Sequence, residues 1–317
     1  MTMASVTTET PAEATAVPPV PHRVPLRRRA AITAEGWSFI APGRLFVLGL
    51  SVFPALWALV LSLQKWNGFS EPKFIGPRNY TRLVTDAEFW QAVTQTGLYV
   101  VLFVPASVLL GLFLAVALNR QIRFIGFYRT AIFVPFVASA AATGILSTYL
   151  FSPQYGLVNN VLRVLGLPAQ GWLEDPGQAM LVIALMSLWG QAAFTTVIYL
   201  AALQDIPAEL IEAARVDGAN PWQTFWRVVW PELSPVTVFV TIWQVIGALQ
   251  LFDLVYTTTR GGPLDATKTI VYFLWEKAFK GLEFGYGSAA AYVLFVVTLG
   301  ITVGMVLYAR RKNLEAF

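Results

Sequence analysis

The sequence predicts an all-α polytopic membrane protein with six transmembrane helices and one cytoplasmic loop that is itself helical. Three observations lead there. Hydrophobic residues make up 56% of the 317 residues and charged residues 13%, about half the charge that a soluble domain carries, and mean hydropathy is +0.60. Six stretches lack Asp, Glu, Lys and Arg over roughly the 20 residues needed to cross a hydrocarbon core. The basic clusters border those stretches instead of forming a face of their own.

Composition also excludes functions. Aromatics at 14% with little charge are the opposite of a disordered chain. Zero cysteines remove disulfides, thiolate metal sites and cysteine nucleophiles, and the single histidine, His22, lies in a polar tail. No metal site and no enzyme activity are expected of this chain alone. The net charge of +4 reads as residues flanking membrane spans, not as a nucleic-acid footprint.

Taken in order, residues 1–36 are rich in Ala, Thr, Pro and Val and predict a disordered cytoplasmic tail, extended around Pro18, Pro19 and Pro21. Its basic residues sit late and the apolar run behind them is too long for a cleaved signal, so it is expected to stay uncleaved. A membrane domain over 37–312 and a short cytoplasmic tail over 313–317 complete the chain. The spans are Leu45–Leu63, Gly97–Leu118, Thr130–Phe151, Ala179–Leu203, Leu233–Phe252 and Ser288–Ala309, helical because lipid offers no partner for backbone polar groups. Pro54, Pro105 and Pro135 fall inside the first three, each a site for a kink. An even number of spans puts both termini on one side. Arg23 and Arg27–Arg29 precede the first span, Arg120, Arg123 and Arg129 separate the second and third, and Arg310, Arg311 and Lys312 follow the last. The positive-inside rule then places both termini in the cytoplasm, for a multi-pass protein of a bacterial plasma (inner) membrane.

Between spans four and five, the inside loop 204–232 carries its own helix signals. Asp205 with Pro207 behind it reads as a cap-plus-proline start, helix formers run from Ala208 to Val216, and Asp217-Gly218 supplies a left-handed stop. Asn220-Pro221 opens a second short helix by the same device. An Ala-Ala surface flanked by acids suits a protein groove better than a lipid surface; a plain connector is the competing reading.

Two motifs carry a resemblance. Glu212-Ala213-Ala214, three residues, Gly218, nine residues, Val228, one residue, then Trp230-Pro231 resembles the EAA loop of ATP-binding-cassette importer permeases. Val228 and Trp230 depart from that family's Ile-x-Leu-Pro ending. Phe252-Asp253-Leu254-Val255-Tyr256 with Thr259, Gly261, Gly262 and Pro263 resembles the FDxxYxxTxGGP signature of its carbohydrate-importer permeases. Thr267–Ala278, Phe284–Ala289, Phe133-Val134-Pro135 and the Phe151–Gly156 stretch are similar to the same group, so the likeness runs from about Phe39 to the C-terminus. It implies a type I importer permease fold. It implies that Glu212, Ala213, Ala214, Gly218 and Pro231 couple to a cytoplasmic ATPase, and that Asp253, Gly261, Gly262 and Pro263 form an outer turn. The sequence has no G-x-x-x-x-G-K-[ST] phosphate loop. The resemblance therefore implies that ATP and Mg are held by a partner ATPase and that this chain binds no cofactor. The implied partners are a second, homologous permease subunit, two ATPase subunits, an extracytoplasmic solute-binding protein and membrane lipid, with no nucleic acid.

The spans contain no ionisable side chain, which counts against a proton- or ion-coupled carrier or channel. Ser187, Gln191 and Phe194 share one helix face in span four, and Gln244, Ala248 and Leu251 share one in span five. Both faces align with the sugar-holding region of the larger maltose-permease subunit, although Ala248 and Leu251 replace polar groups there. Amides, with Gln250 and the nearby Trp189 and Trp243, suit a hydroxylated ligand; cross-helix packing is the alternative role for the glutamines. The expected cargo is an oligosaccharide or related polyol, with glycerol phosphate or its diesters as the alternative. Asp253 is either a gate residue or a solvated span-end acid, and Trp230 reads as an interfacial anchor.

Overall fold

The computed structural model describes Trp37, residues 40–120 and 123–312, and Leu314. The expected tails, with His22 and the N-terminal arginines, lie outside the described residues, Leu314 apart. The chain divides into two units, one through Ala55 and one from Leu56. In the first, the guanidinium of Arg44 lies 4.1 Å from the ring centroid of Trp37. Helix α1 occupies Ile40–Ser62, with a π-helical stretch at Leu48–Val52, and its residues before Leu56 leave Leu45, Phe46 and Phe53 exposed.

In the second unit a two-stranded antiparallel ribbon, β1 (Gln64–Lys65) and β2 (Lys73–Phe74), precedes α2 (Arg78–Thr85). Asn79 fastens α2 by donating to the carbonyls of Ser62 and Gln64 at 2.8 and 2.9 Å. Helix α3 (Ala87–Leu118) is capped by Asp86, whose carboxylate accepts from the Glu88 and Phe89 amides. Then follow α4 (Ile125–Val137), α5 (Ala140–Leu150), α6 (Leu157–Val164), α7 (Ala179–Asp205), α8 (Ala208–Val216) and α9 (Pro221–Thr224). Last come α10 (Trp230–Leu249), α11 (Asp253–Thr257), α12 (Ile270–Trp275) and α13 (Phe284–Arg311). Among the described residues five helices are long and apolar enough to cross a membrane, and a sixth crossing is available if the bent pair α4–α5 counts as one.

The bundle centre is α3 packed along α7. Gly111 permits the contact, because a Cβ there would lie 2.5 Å from Cβ of Thr195. One core cluster joins Tyr99 and Phe103 of α3 to Val182 and Ile183 of α7 and to Tyr272 of α12. A second unites Phe89, Phe273, Tyr286 and Ala289, and a third joins Ala115, Tyr199, Leu233 and Val240. Helix α13 leaves Phe295, Val296 and Val303 exposed. An apolar face of that extent suits lipid or another subunit, not water.

Four expectations change. The third span, read as Thr130–Phe151, is not one helix: α4 and α5 meet at 99°. Pro135 weakens the ladder, Ala138 turns extended, and Ser139 caps a new helix by accepting from the Ala142 amide at 3.4 Å. Asp205 is not an N-cap but the last residue of α7; Ile206, preceding a proline, is extended, and Pro207 takes the cap position of α8. The second short helix is not separate. A π-helical stretch, Phe225–Val229, carries α9 straight into α10. The widening precedes Pro231, whose ring would meet the carbonyl of Arg227 in a regular helix. At its other end, the expected fifth span is interrupted after Leu249, and Asp253 begins α11.

The chain end of the bundle around α12 is tied by charge. Lys268 reaches Glu88, Asp265 and Glu276 at 2.8, 2.9 and 2.9 Å, and Lys277 meets Glu88 at 2.6 Å. Burial works against the Lys268 ammonium, but hydrogen bonds to Glu88, Asp265 and Glu276 outweigh it and hold its pKa above the ordinary lysine value.

Candidate functional site

A cavity of about 270 Å³ opens between α3, the α4–α5 bend, α7 and the end of α10. Of the residues singled out on sequence grounds, Ser187, Gln191, Gln244, Gln250, Leu251 and Asp253 line it. Gln191 and Gln250 are exposed, whereas Gln244 is 3% exposed and donates from Nε2 to Oγ of Ser107 at 2.6 Å. Ser187 is buried and donates to the carbonyl of Ile183 at 2.9 Å. Ala248 sits in the core cluster with Tyr99 and Tyr272, away from the cavity lining. Phe194 stacks on Trp243 at 5.3 Å and faces Phe136 at 6.5 Å. Trp189 and Trp243 are about half exposed and do not line the cavity.

Sequence reasoning missed Tyr99, Phe103 and Thr143 in the lining. Tyr99 and Phe103 stack at 5.2 Å, one turn apart on α3. Thr143 arrives only because the third crossing bends, and the one available signal was Ser139 as a cap behind Pro135. Chemically, the lining offers amides, hydroxyls, aromatic faces and one carboxylate, Asp253, with no basic side chain. Such a surface suits a neutral, hydroxyl-rich solute and opposes an anion.

The segment after α7 has a different character. No residue of α8 is buried, and Glu212 and Ala213 are exposed with Ala214 half-buried. Gly218 adopts φ +82°. Its amide donates to the Arg215 carbonyl and the Ala219 amide to the Ala214 carbonyl, at 3.0 and 2.9 Å, a Schellman termination. Asn220 and Gln223 then form a reciprocal capping box at 2.8 and 2.9 Å. Pro231 is exposed at the start of α10. Trp222, Trp226 and Trp230 follow one another at 5.5 and 5.6 Å along this stretch.

At the turn before α12, Gly261 takes φ +87° and the Gly262–Pro263 peptide is cis. Thr267 Oγ1 donates to the Gly262 carbonyl and lies 2.6 Å from Thr259 Oγ1. A pocket of about 460 Å³ beside the turn is lined by Gly262, Pro263, Tyr155 and Glu174.

A sequence profile of the family described as "Binding-protein-dependent transport system inner membrane component" matches residues 107–312. The chain belongs to that family. It is a membrane transport permease. It is 38% identical over 285 residues to the lactose transport system permease protein LacF of Rhizobium radiobacter, covering 88% of this chain and 95% of that one. It is 31% identical to the sn-glycerol-3-phosphate transport system permease protein UgpA of Pectobacterium atrosepticum, covering 86% and 93%. Among solved structures, a chain of the bacterial alginate ABC transporter in complex with alginate pentasaccharide-bound periplasmic protein superposes with a TM-score of 0.78 at 21% identity, over 92% of this chain and 99% of that one. At that identity the likeness establishes the fold of this family member and nothing about its cargo.

Proposed function

We propose that this permease forms half of the translocation pathway of an ATP-driven, binding-protein-dependent importer whose cargo is a neutral hydroxylated solute, an oligosaccharide or related polyol. The observation that carries the cargo reading is the cavity lining: Gln191, Gln250 and Thr143 with aromatic faces, one acid and no base. A glycerol phosphate would bring negative charge toward Asp253 with no arginine or lysine to meet it. The 38% identity to a permease named for lactose points the same way.

The other parts fall into place around that pathway. Helix α8 leaves Glu212 and Ala213 exposed among the described residues and ends on a left-handed turn at Gly218, the form of an element that seats in a groove of a separate ATPase. ATP and Mg belong to that ATPase. The Gly261–Pro263 turn faces outside, toward the solute-binding protein, and both termini are cytoplasmic. A second permease subunit completes the cavity.

The test is uptake into vesicles holding the permease pair, its ATPase and its binding protein. ATP-dependent accumulation of a neutral di- or trisaccharide, with no accumulation of glycerol 3-phosphate, is expected. Accumulation of glycerol 3-phosphate alone would overturn the cargo reading, and uptake without ATP would overturn the importer reading.

A further inference from the structure

Where α3 and α7 end, beside the α8–α9 corner, a pocket of about 280 Å³ opens. Val116, Leu203 and Val229 give it an apolar wall, and Arg120 and Arg215 give it charge. No Asp or Glu lines it, and neither arginine joins an ion pair among the described residues. Two guanidiniums on one small pocket repel each other until an anion screens them. Val116 and Leu203 belong to membrane-crossing helices, and Val229 to the stretch that enters the next. The pocket therefore straddles the level at which hydrocarbon gives way to headgroups. Trp222 and Trp226, 69% and 45% exposed, flank Thr224 and Phe225 of the lining, and indoles favour that level.

We infer that this pocket binds the phosphate of an anionic lipid headgroup in the leaflet next to α8. Guanidinium forks match a phosphodiester bidentately, and basic pockets between membrane helices recognise acidic headgroups. The volume lies just under the roughly 300–1,000 Å³ of small-molecule sites, which suits a phosphate with its glycerol and not a nucleotide. Free phosphate would satisfy the arginines but leave Val116, Leu203 and Val229 without a partner. A carboxylate of the ATPase that α8 is proposed to meet would satisfy the arginines but, like free phosphate, leave that apolar wall without a partner. The inference does not depend on the identity of the cargo.

The experiment uses the intact transporter complex, stripped of lipid in detergent and titrated with short-chain phosphatidylglycerol or phosphatidylcholine, with bound lipid counted by native mass spectrometry. Wild type should retain phosphatidylglycerol at about tenfold lower concentration than phosphatidylcholine. Arg120→Gln and Arg215→Gln should each reduce that preference about fivefold, and the double variant should abolish it. Both side chains are exposed, so the core is untouched. Lys73→Gln, an exposed lysine on β2, should leave the preference intact, and millimolar inorganic phosphate should not displace the lipid. Equal retention of the two lipids by wild type, an unchanged preference in the double variant, or displacement by inorganic phosphate would each overturn the inference.

Discussion

Gln244 on α10 donates its side-chain amide to the hydroxyl of Ser107 on α3 at 2.6 Å while lining the cavity. The same group thus fastens two membrane helices and borders the cavity, whereas Gln191, across the cavity on α7, is exposed. The two glutamines should separate by experiment. Gln244→Ala loses an interhelical bond worth about 0.6–1.7 kcal/mol and should lower the Tm of the purified protein. Gln191→Ala should leave Tm unchanged and reduce uptake several-fold. Equal Tm values with unchanged uptake in both variants would remove the cavity from the pathway.

Gly218 has open space around its Cα and φ +82°, so a side chain there meets only backbone strain. Valine should cost about 1 kcal/mol or more and abolish transport by re-aiming α8 relative to α9. Asparagine, which tolerates the left-handed region, should retain most uptake. Comparable activity of the two variants would rule out a conformational role for this turn.

Glu212 is exposed on a helix with no buried residue, so its charge is free to meet a partner. Glu212→Lys should leave the membrane helices inserted but release the ATPase during copurification. Retention of the ATPase at wild-type stoichiometry, with stimulated hydrolysis intact, would make α8 a passive connector.

Lys268 holds three carboxylates together from a nearly buried position. Hydrogen bonds between charged groups contribute roughly 1.5–3 kcal/mol each when lost; all three of these partners are only partly shielded, so Lys268→Met should destabilise by an amount near the lower end. Because the folded pKa of Lys268 is raised, its contribution is fully present below the ordinary lysine value of about 10.4 and is lost as pH rises beyond it. Thermal unfolding of wild type and variant should therefore differ by a constant amount from pH 6 to 9 and converge only in stronger alkali.

The outward placement proposed for the Gly261–Pro263 turn can be checked by chemistry. Arg260→Cys, in a chain with no other cysteine, should react with an impermeant thiol reagent in intact cells. Reaction only in inverted vesicles would reverse the membrane orientation.

Much of the architecture was legible because bilayers impose a coarse rule: a span announces itself by apolar length alone. Four expected spans reappear to within a residue in longer helices, whose polar ends extend past the apolar run as Gln91 and Thr94 do at the start of α3, and the fifth ends early at Leu249. The α8 stop at Gly218 and the Asn220 cap were equally plain, since both are local chemistry. What hydropathy could not show was the direction of the chain inside an apolar run. The 99° turn at Ala138-Ser139 leaves the composition of Thr130–Phe151 unchanged, and a π-helical stretch has the same residues as an α-helical one. Nor could it pair Lys268 with Glu88, which meet across 180 residues. A third of the cavity lining was visible in the sequence, chiefly as polar spots on two helix faces; Tyr99, Phe103 and Thr143 needed the third dimension.

The uninterrupted run from Pro221 through Phe225–Val229 to Leu249 has a mechanical meaning. At about 1.5 Å per residue it is a rod roughly 43 Å long, with the capping box at one tip and Gln244 and Gln250 near the other. Tilting such a rod by about 10° about one tip sweeps the far tip through roughly 7 Å, enough to open or shut a passage the width of a sugar ring. Pro231 and the widened turn lie within the rod without ending it, so leverage along it would replace any need for a relay of small side-chain shifts.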